Sequence, residues 1–138
     1  MKRAALLIGS SLVVGIALGV IGTGVLTAQQ EPVKRTVLLK SDLVGMEGKE
    51  AFLNLNEVAP GASSGKHYHP GHTFLYFLEG SGIWEQEGRP PVTLKQGDVF
   101  YEQPKQVHSA KNASTTAPLK TLSCVIGEKG QPLTVPVK

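Results

Sequence analysis

The sequence predicts an all-β fold, a small barrel or double-sheet jelly roll, behind an apolar N-terminal segment. Short runs rich in β-branched, aromatic and aliphatic residues recur along the chain. Sixteen Gly and nine Pro, spread over 138 residues, punctuate them in turn-like clusters. No convincing helix follows the N-terminal segment, and strands spaced this closely suit a closed or double-sheet architecture. The length fits one domain with a real core, and 41% apolar residues exclude both a disordered tail and a multi-span membrane protein.

Residues 4–28, AALLIGSSLVVGIALGVIGTGVLTA, carry no charge and follow Lys2 and Arg3. A positive start before an apolar run reads as an export signal. Cleavage after Ala28 would leave a chain beginning QQEPVKRT, although Leu26 stands where a small residue is preferred. Uncleaved, the roughly 25 uncharged residues suffice to span a bilayer as an anchor. Cleavage is the preferred reading, but either version places the rest of the chain outside the cytoplasm, with Lys2 and Arg3 inside. The expected localisation is therefore periplasmic or extracytoplasmic, secreted or held at the inner membrane. The expected organisation is a signal or anchor at 1–28, a linker at 29–36 and a β-barrel domain at 37–138.

The elements follow in order. VKRTVLL, Val33 to Leu39, has strand composition, and DLVGMEGK, Asp42 to Lys49, is rich in turn residues. AFLNLNEV, Ala51 to Val58, alternates with a period of two, as a half-buried strand does. APGASSG, Ala59 to Gly65, is a loop. TFLYFLE, Thr73 to Glu79, and IWEQE, Ile83 to Glu87, flank the tight turn Gly80-Ser81-Gly82. GRPP, VTLK and the turn Gln96-Gly97-Asp98 lead to VFYE, Val99 to Glu102, and then to VHSAK, Val107 to Lys111. LKTLSCVIG, Leu119 to Gly127, is a long apolar strand beyond a polar loop, and LTVPV, Leu133 to Val137, closes the chain. Tyr76, Phe77, Trp84, Phe100 and Tyr101 are expected in the core and pocket walls. The single cysteine, Cys124, reads as a small buried hydrophobe.

The net charge of +3 includes Lys2 and Arg3; without them twelve basic residues face eleven acidic ones. No basic run is interleaved with aromatics, so nucleic acid is discounted as a partner. The chain has no P-loop, dinucleotide fingerprint or nucleophile elbow.

The chemistry concentrates in GKHYHPGHTFLYFLEG, Gly65 to Gly80, which holds three of the four histidines. His67 and His69 are two apart, so on a strand both imidazoles point to one face. Two convergent neutral imidazoles form half of a transition-metal site, and His108, on another predicted strand, is the natural third ligand.

These residues resemble the two cupin motifs. In the first motif, Gly61, His67, His69 and Gly80 of GASSGKHYHPGHTFLYFLEG fall in register; in the second, Gly97, His108 and Asn112 of GDVFYEQPKQVHSAKN do, with Pro104 one place late. The resemblance covers roughly residues 37 to 126. It implies a small cupin-type barrel, the double-stranded β-helix, binding one divalent Fe, Mn, Ni, Cu or Zn ion. It also implies a small oxygen-rich or phenolic ligand, dioxygenase- or isomerase-type chemistry and a homodimer. A non-catalytic binding or sensing module is the alternative. Two departures stand out. The family's glutamate ligand falls on Thr73, which leaves His72 as a possible fourth ligand if the Pro70-Gly71 turn relaxes the strand register. Gln103 and Lys105 replace the usual proline and glycine of the second motif. Glu102 lies close enough to the loop before His108 to reach the pocket mouth.

Overall fold

The computed structural model describes residues 31–138, and the expected signal or anchor at 1–28 lies outside them. Every regular element among the described residues is a strand: β1 (Val33–Asp42), β2 (Lys49–Val58), β3 (His67–Tyr68), β4 (His72–Glu79), β5 (Ser81–Gln86), β6 (Val92–Lys95), β7 (Val99–Glu102), β8 (His108–Asn112), β9 (Leu119–Glu128) and β10 (Val135–Pro136). They build two five-stranded sheets, ordered β1-β2-β9-β4-β7 and β10-β3-β8-β5-β6. All pairings are antiparallel. The first sheet gives Val58, Leu75, Phe77 and Leu119 to the core, and the second gives Trp84, Leu94 and Ala110.

β1 starts inside the stretch expected as linker. Val33, Lys34, Arg35 and Thr36 pair with Val58, Glu57, Asn56 and Leu55. The β2 ladder thus extends strand structure to a segment whose mixed charge conceals it.

The alternation along β2 is real, and its polar row faces inward. Glu50, Asn54 and Asn56 are buried, while Leu53 is half-buried on the opposite face. Across the ladder, Thr121 and Ser123 of β9 are also buried. Asn56 Nδ2 donates to Ser123 Oγ at 3.0 Å and to Thr121 Oγ1 at 3.3 Å. The inner wall of the first sheet is therefore a hydrogen-bonding surface. Burying so many polar groups is tolerable because most of them find partners.

β4 shows the converse alternation. Thr73, Leu75 and Phe77 point in, while Phe74 and Tyr76 are 48% and 46% exposed on the outer face, beside Tyr101 at 41%. Of the aromatics expected inside, Phe77 and Trp84 are buried and Phe100 packs against the core. Tyr76 and Tyr101 are not inside, because strand parity turns them outward. Cys124 is half-buried on the same outer face rather than buried.

Two motif glycines hold tight connections. Gly80, between β4 and β5, has a φ of 80°, and a Cβ there would meet the Pro118 carbonyl oxygen at 2.9 Å. Gly97, before β7, has a φ of 89°. The motif asparagine, Asn112, is fully buried; its Nδ2 donates to the carbonyls of Val58 and Ala117, and its Oδ1 accepts from Ser114 N. It knots the loop before β9.

Candidate metal centre

A cavity of about 310 Å³ opens between the sheets, and His67, His69, His108 and Glu102 line it. β3 carries His67 opposite His108 of β8 in direct register. His69 follows immediately after β3 and keeps the same facing. Ring centroids are separated by 5.0 Å for His67–His69, 4.3 Å for His67–His108 and 5.1 Å for His69–His108. All three residues are buried, and their ligating nitrogens fall within 4.8 Å of one another. The loop before His108 is clamped to the pair: Lys105 N donates to the His69 carbonyl at 2.8 Å. Lys105 pays with a φ of 63°, the left-handed backbone that the family's glycine would accept without strain.

The Nδ1 atoms face away from the centre. Those of His67, His69 and His108 donate to the carbonyls of Gly65, Leu133 and Gln106 at 3.0, 2.6 and 2.9 Å. A carbonyl only accepts, so each Nδ1 bears the proton and each Nε2 is turned toward the cavity. Backbone bonds of this kind orient metal-ligating histidines.

The carboxylate comes from a strand other than the one the motif assigns. Glu102, only 2% exposed, ends β7 and pairs directly across the ladder with Thr73 of β4. It therefore occupies the rung of the family's glutamate from the neighbouring strand. Its Oε2 lies 3.2 Å from His69 Nε2, and its Oε1 lies 3.1 Å from His108 Nε2. Trp84 Nε1 donates to Oε1 at 2.6 Å and fixes the carboxylate. The Thr73 hydroxyl is buried in the cavity wall without a partner among the described residues. Sequence reasoning allowed Glu102 only a reach to the pocket mouth. Parity with the inward-packed Phe100 was the available signal.

His72 is not part of the cluster. It is exposed on the outer face, where its ring stacks on Tyr101 and its Nδ1 lies 2.6 Å from the Tyr101 hydroxyl. The Pro70-Gly71 turn does not shift the register, because β4 pairs with β9 without a break from His72↔Ile126 to Phe77↔Thr121. Gly71 itself lies against the β9 backbone, where a Cβ would come within 2.3 Å of the Ile126 carbonyl oxygen.

Electrostatics follow from burial and contact. Desolvation pushes the His67 imidazole down to about 4, so this ring is neutral at ordinary pH. Burial would likewise lower His108, but the hydrogen bond and charge of Glu102 outweigh it and raise His108 above its usual value. Burial opposes ionisation of Glu102, yet hydrogen bonds from His108 and His69 hold its carboxyl well below the usual range.

The donor set fits a divalent ion. With Nδ1 protonated, the Nε2 atoms of His69 and His108 can bond Glu102 only by carrying a second proton, or by sharing a cation with it. Two ligands at about 2.1 Å from one ion and at right angles to each other sit about 3 Å apart, as these Nε2 and carboxylate atoms do. Three imidazoles and one carboxylate suit a first-row transition ion without choosing among them.

Comparison with known proteins agrees with this architecture. The cupin domain family model matches residues 54–125. The oxalate-binding protein of Thermotoga maritima is 32% identical over 72 residues, 51% of this chain and 59% of that protein, so the match spans little more than half of the relative's length. A cupin-like protein of Thermotoga maritima superposes with a TM-score of 0.58 at 25% identity, covering 76% of this chain and 75% of its own. An uncharacterized Klebsiella pneumoniae protein with a double-stranded β-helix domain gives a TM-score of 0.61 at 21% identity, over 80% and 88% of the two chains. Two facing antiparallel sheets, both histidine motifs in register and a matched family model over half the chain make this protein a member of the cupin family.

Proposed function

We propose that this cupin binds one divalent transition metal through His67, His69 and His108, with Glu102 as the fourth protein ligand, and uses it to hold a small oxygen-rich molecule in the cavity. The observation that carries the reading is the convergence of three buried, backbone-anchored imidazoles, with the buried Glu102 carboxylate against two of them, His69 and His108. Bound there, the ion would supply Lewis acidity or oxygen activation, chemistry of the dioxygenase or isomerase type. The chain's own residues do the remaining work. Trp84 holds Glu102 in place through Oε1, and the Gly65, Leu133 and Gln106 carbonyls keep the rings aimed. The apolar walls, Val58, Leu75, Ala110 and Val125 among them, limit water around the ligand. The oxalate named for the Thermotoga relative makes a small carboxylate one concrete ligand to try.

A second reading, non-catalytic binding or sensing, draws on the threonine at the family's glutamate position. Export by residues 1–28, as a cleaved signal or a membrane anchor, belongs to the same proposal, as does a homodimer that would cover exposed strand edges.

Metal content per chain, measured by mass spectrometry on untagged protein, tests the centre. Wild type should carry about one equivalent, and His67→Ala and His108→Ala should carry little. Variants that bind metal like wild type would sink the assignment. Oxygen consumption or product formation with a panel of small acids and phenols then separates an enzyme from a binding module.

A further inference from the structure

Arg35 stands out in the cavity wall as a cation with unused hydrogen-bonding capacity. It lies on β1, opposite Asn56 in the ladder, and its side chain reaches the cavity. Its Nε donates to Asn56 Oδ1 at 3.2 Å, and its Nη1 donates to Thr134 Oγ1 at 3.0 Å. Two donors are thus committed to neutral side chains, one on the first sheet and one on the segment before β10. A guanidinium has five donors, so three remain. Among the described residues no carboxylate forms an ion pair with it. The head is nonetheless pinned, which removes much of the entropy an arginine loses on binding.

Its position relative to the metal centre is also fixed. Thr134 Oγ1, which accepts from Arg35, lies 3.4 Å from His69 Nδ1. The guanidinium is therefore one threonine hydroxyl away from the outward Nδ1 edge of the His69 ring. Between the two, the cavity wall is the polar row of Asn56, Thr121 and Ser123, with the orphan Thr73 hydroxyl beyond.

We propose that Arg35 selects the ligand of this cavity, receiving a carboxylate on its free donors while a second oxygen of the same small molecule turns toward His67, His69, His108 and Glu102. The ligand class is a short dicarboxylate or hydroxy- or keto-carboxylate. A planar carboxylate matches the guanidinium fork, and a cavity of about 310 Å³ with Arg35 on its exposed side has room for a small molecule that reaches from the guanidinium toward the histidines. The far end of this arrangement rests on the metal reading above; the Arg35 end does not.

The test is calorimetric titration of the full chain, metal-free and metal-loaded, with oxalate, malonate, the neutral oxamide and inorganic phosphate, comparing wild type with Arg35→Gln and Arg35→Lys. Wild type should prefer the dicarboxylates over oxamide and phosphate. Arg35→Gln should lose roughly ten- to a hundred-fold in dicarboxylate affinity, with Arg35→Lys in between. Metal per chain and thermal midpoint should be unchanged in both variants. Dicarboxylate affinity within about twofold of wild type in Arg35→Gln would overturn the assignment, as would equal binding of oxamide or tighter binding of phosphate. If the chain takes up no metal, the metal-free titrations still decide the Arg35 end, so failure of the metal centre and failure of this proposal read out separately.

Discussion

Replacing Glu102 by glutamine keeps the shape of the side chain and deletes its charge, and the consequence depends on pH in a way the geometry dictates. In metal-free protein the carboxylate accepts from Trp84 and faces the Nε2 atoms of His69 and His108 from a site 2% exposed. The raised affinity of His108 for its proton means that the pair is stabilising below the unfolded histidine value near 6.5 and fades as pH rises through the higher folded value. The depressed affinity of Glu102 means that its share is present above the unfolded carboxyl value near 4.3 and is lost as pH falls toward the low folded value. Both conditions hold between about pH 4.5 and 6.5. There, Glu102→Gln should cost the metal-free protein about 3–5 kcal/mol, because a buried imidazolium loses its counter-charge. As pH rises through the raised folded value of His108, the imidazole gives up its proton, the carboxylate becomes the uncompensated group and the cost should shrink. Urea denaturation of chelator-treated wild type and variant, at steps from pH 5 to 9, measures the difference directly. A penalty that stays constant across that range would refute the charge pairing and leave Glu102 as a packing residue.

The remaining expectations are simpler. His72→Ala should leave metal per chain unchanged and shift stability by less than about 1 kcal/mol, because the ring stands on the outer face against Tyr101. Lys105→Gly should raise stability by roughly 0.5–1 kcal/mol in denaturant unfolding, since relief of the left-handed backbone exceeds the entropy a glycine adds to the unfolded chain. Gly71→Ala should cost about 2–3 kcal/mol or more and broaden the β4 amide signals, because the new methyl is driven into the Ile126 carbonyl.

Much of the fold was readable in the residues, for local reasons. Alternation marked β2, aromatic and branched runs marked β4 and β9, and glycines at turns marked the breaks. The clustering of the three histidines was also readable. His67 and His69 share a face by strand parity alone, and the spacing of the second motif brings His108 to the partner strand. What parity could not say is which face looks inward. β2 carries leucines on one side and asparagines on the other, and the polar side faces the cavity because β9 meets it with Thr121 and Ser123. Tyr76 and Tyr101 fell outside for the same reason.

The chain alone therefore determined the class of fold and the three imidazoles, since both follow from the period-two geometry of single strands. The tertiary structure decided which carboxylate and which cation line the cavity beside them. Glu102 reaches the centre only because β7 lies beside β4 and sets it across from Thr73. Arg35 enters the cavity only because β1 continues the ladder through a stretch that looks like linker. Both depend on pairings between segments distant in sequence, which no local pattern encodes.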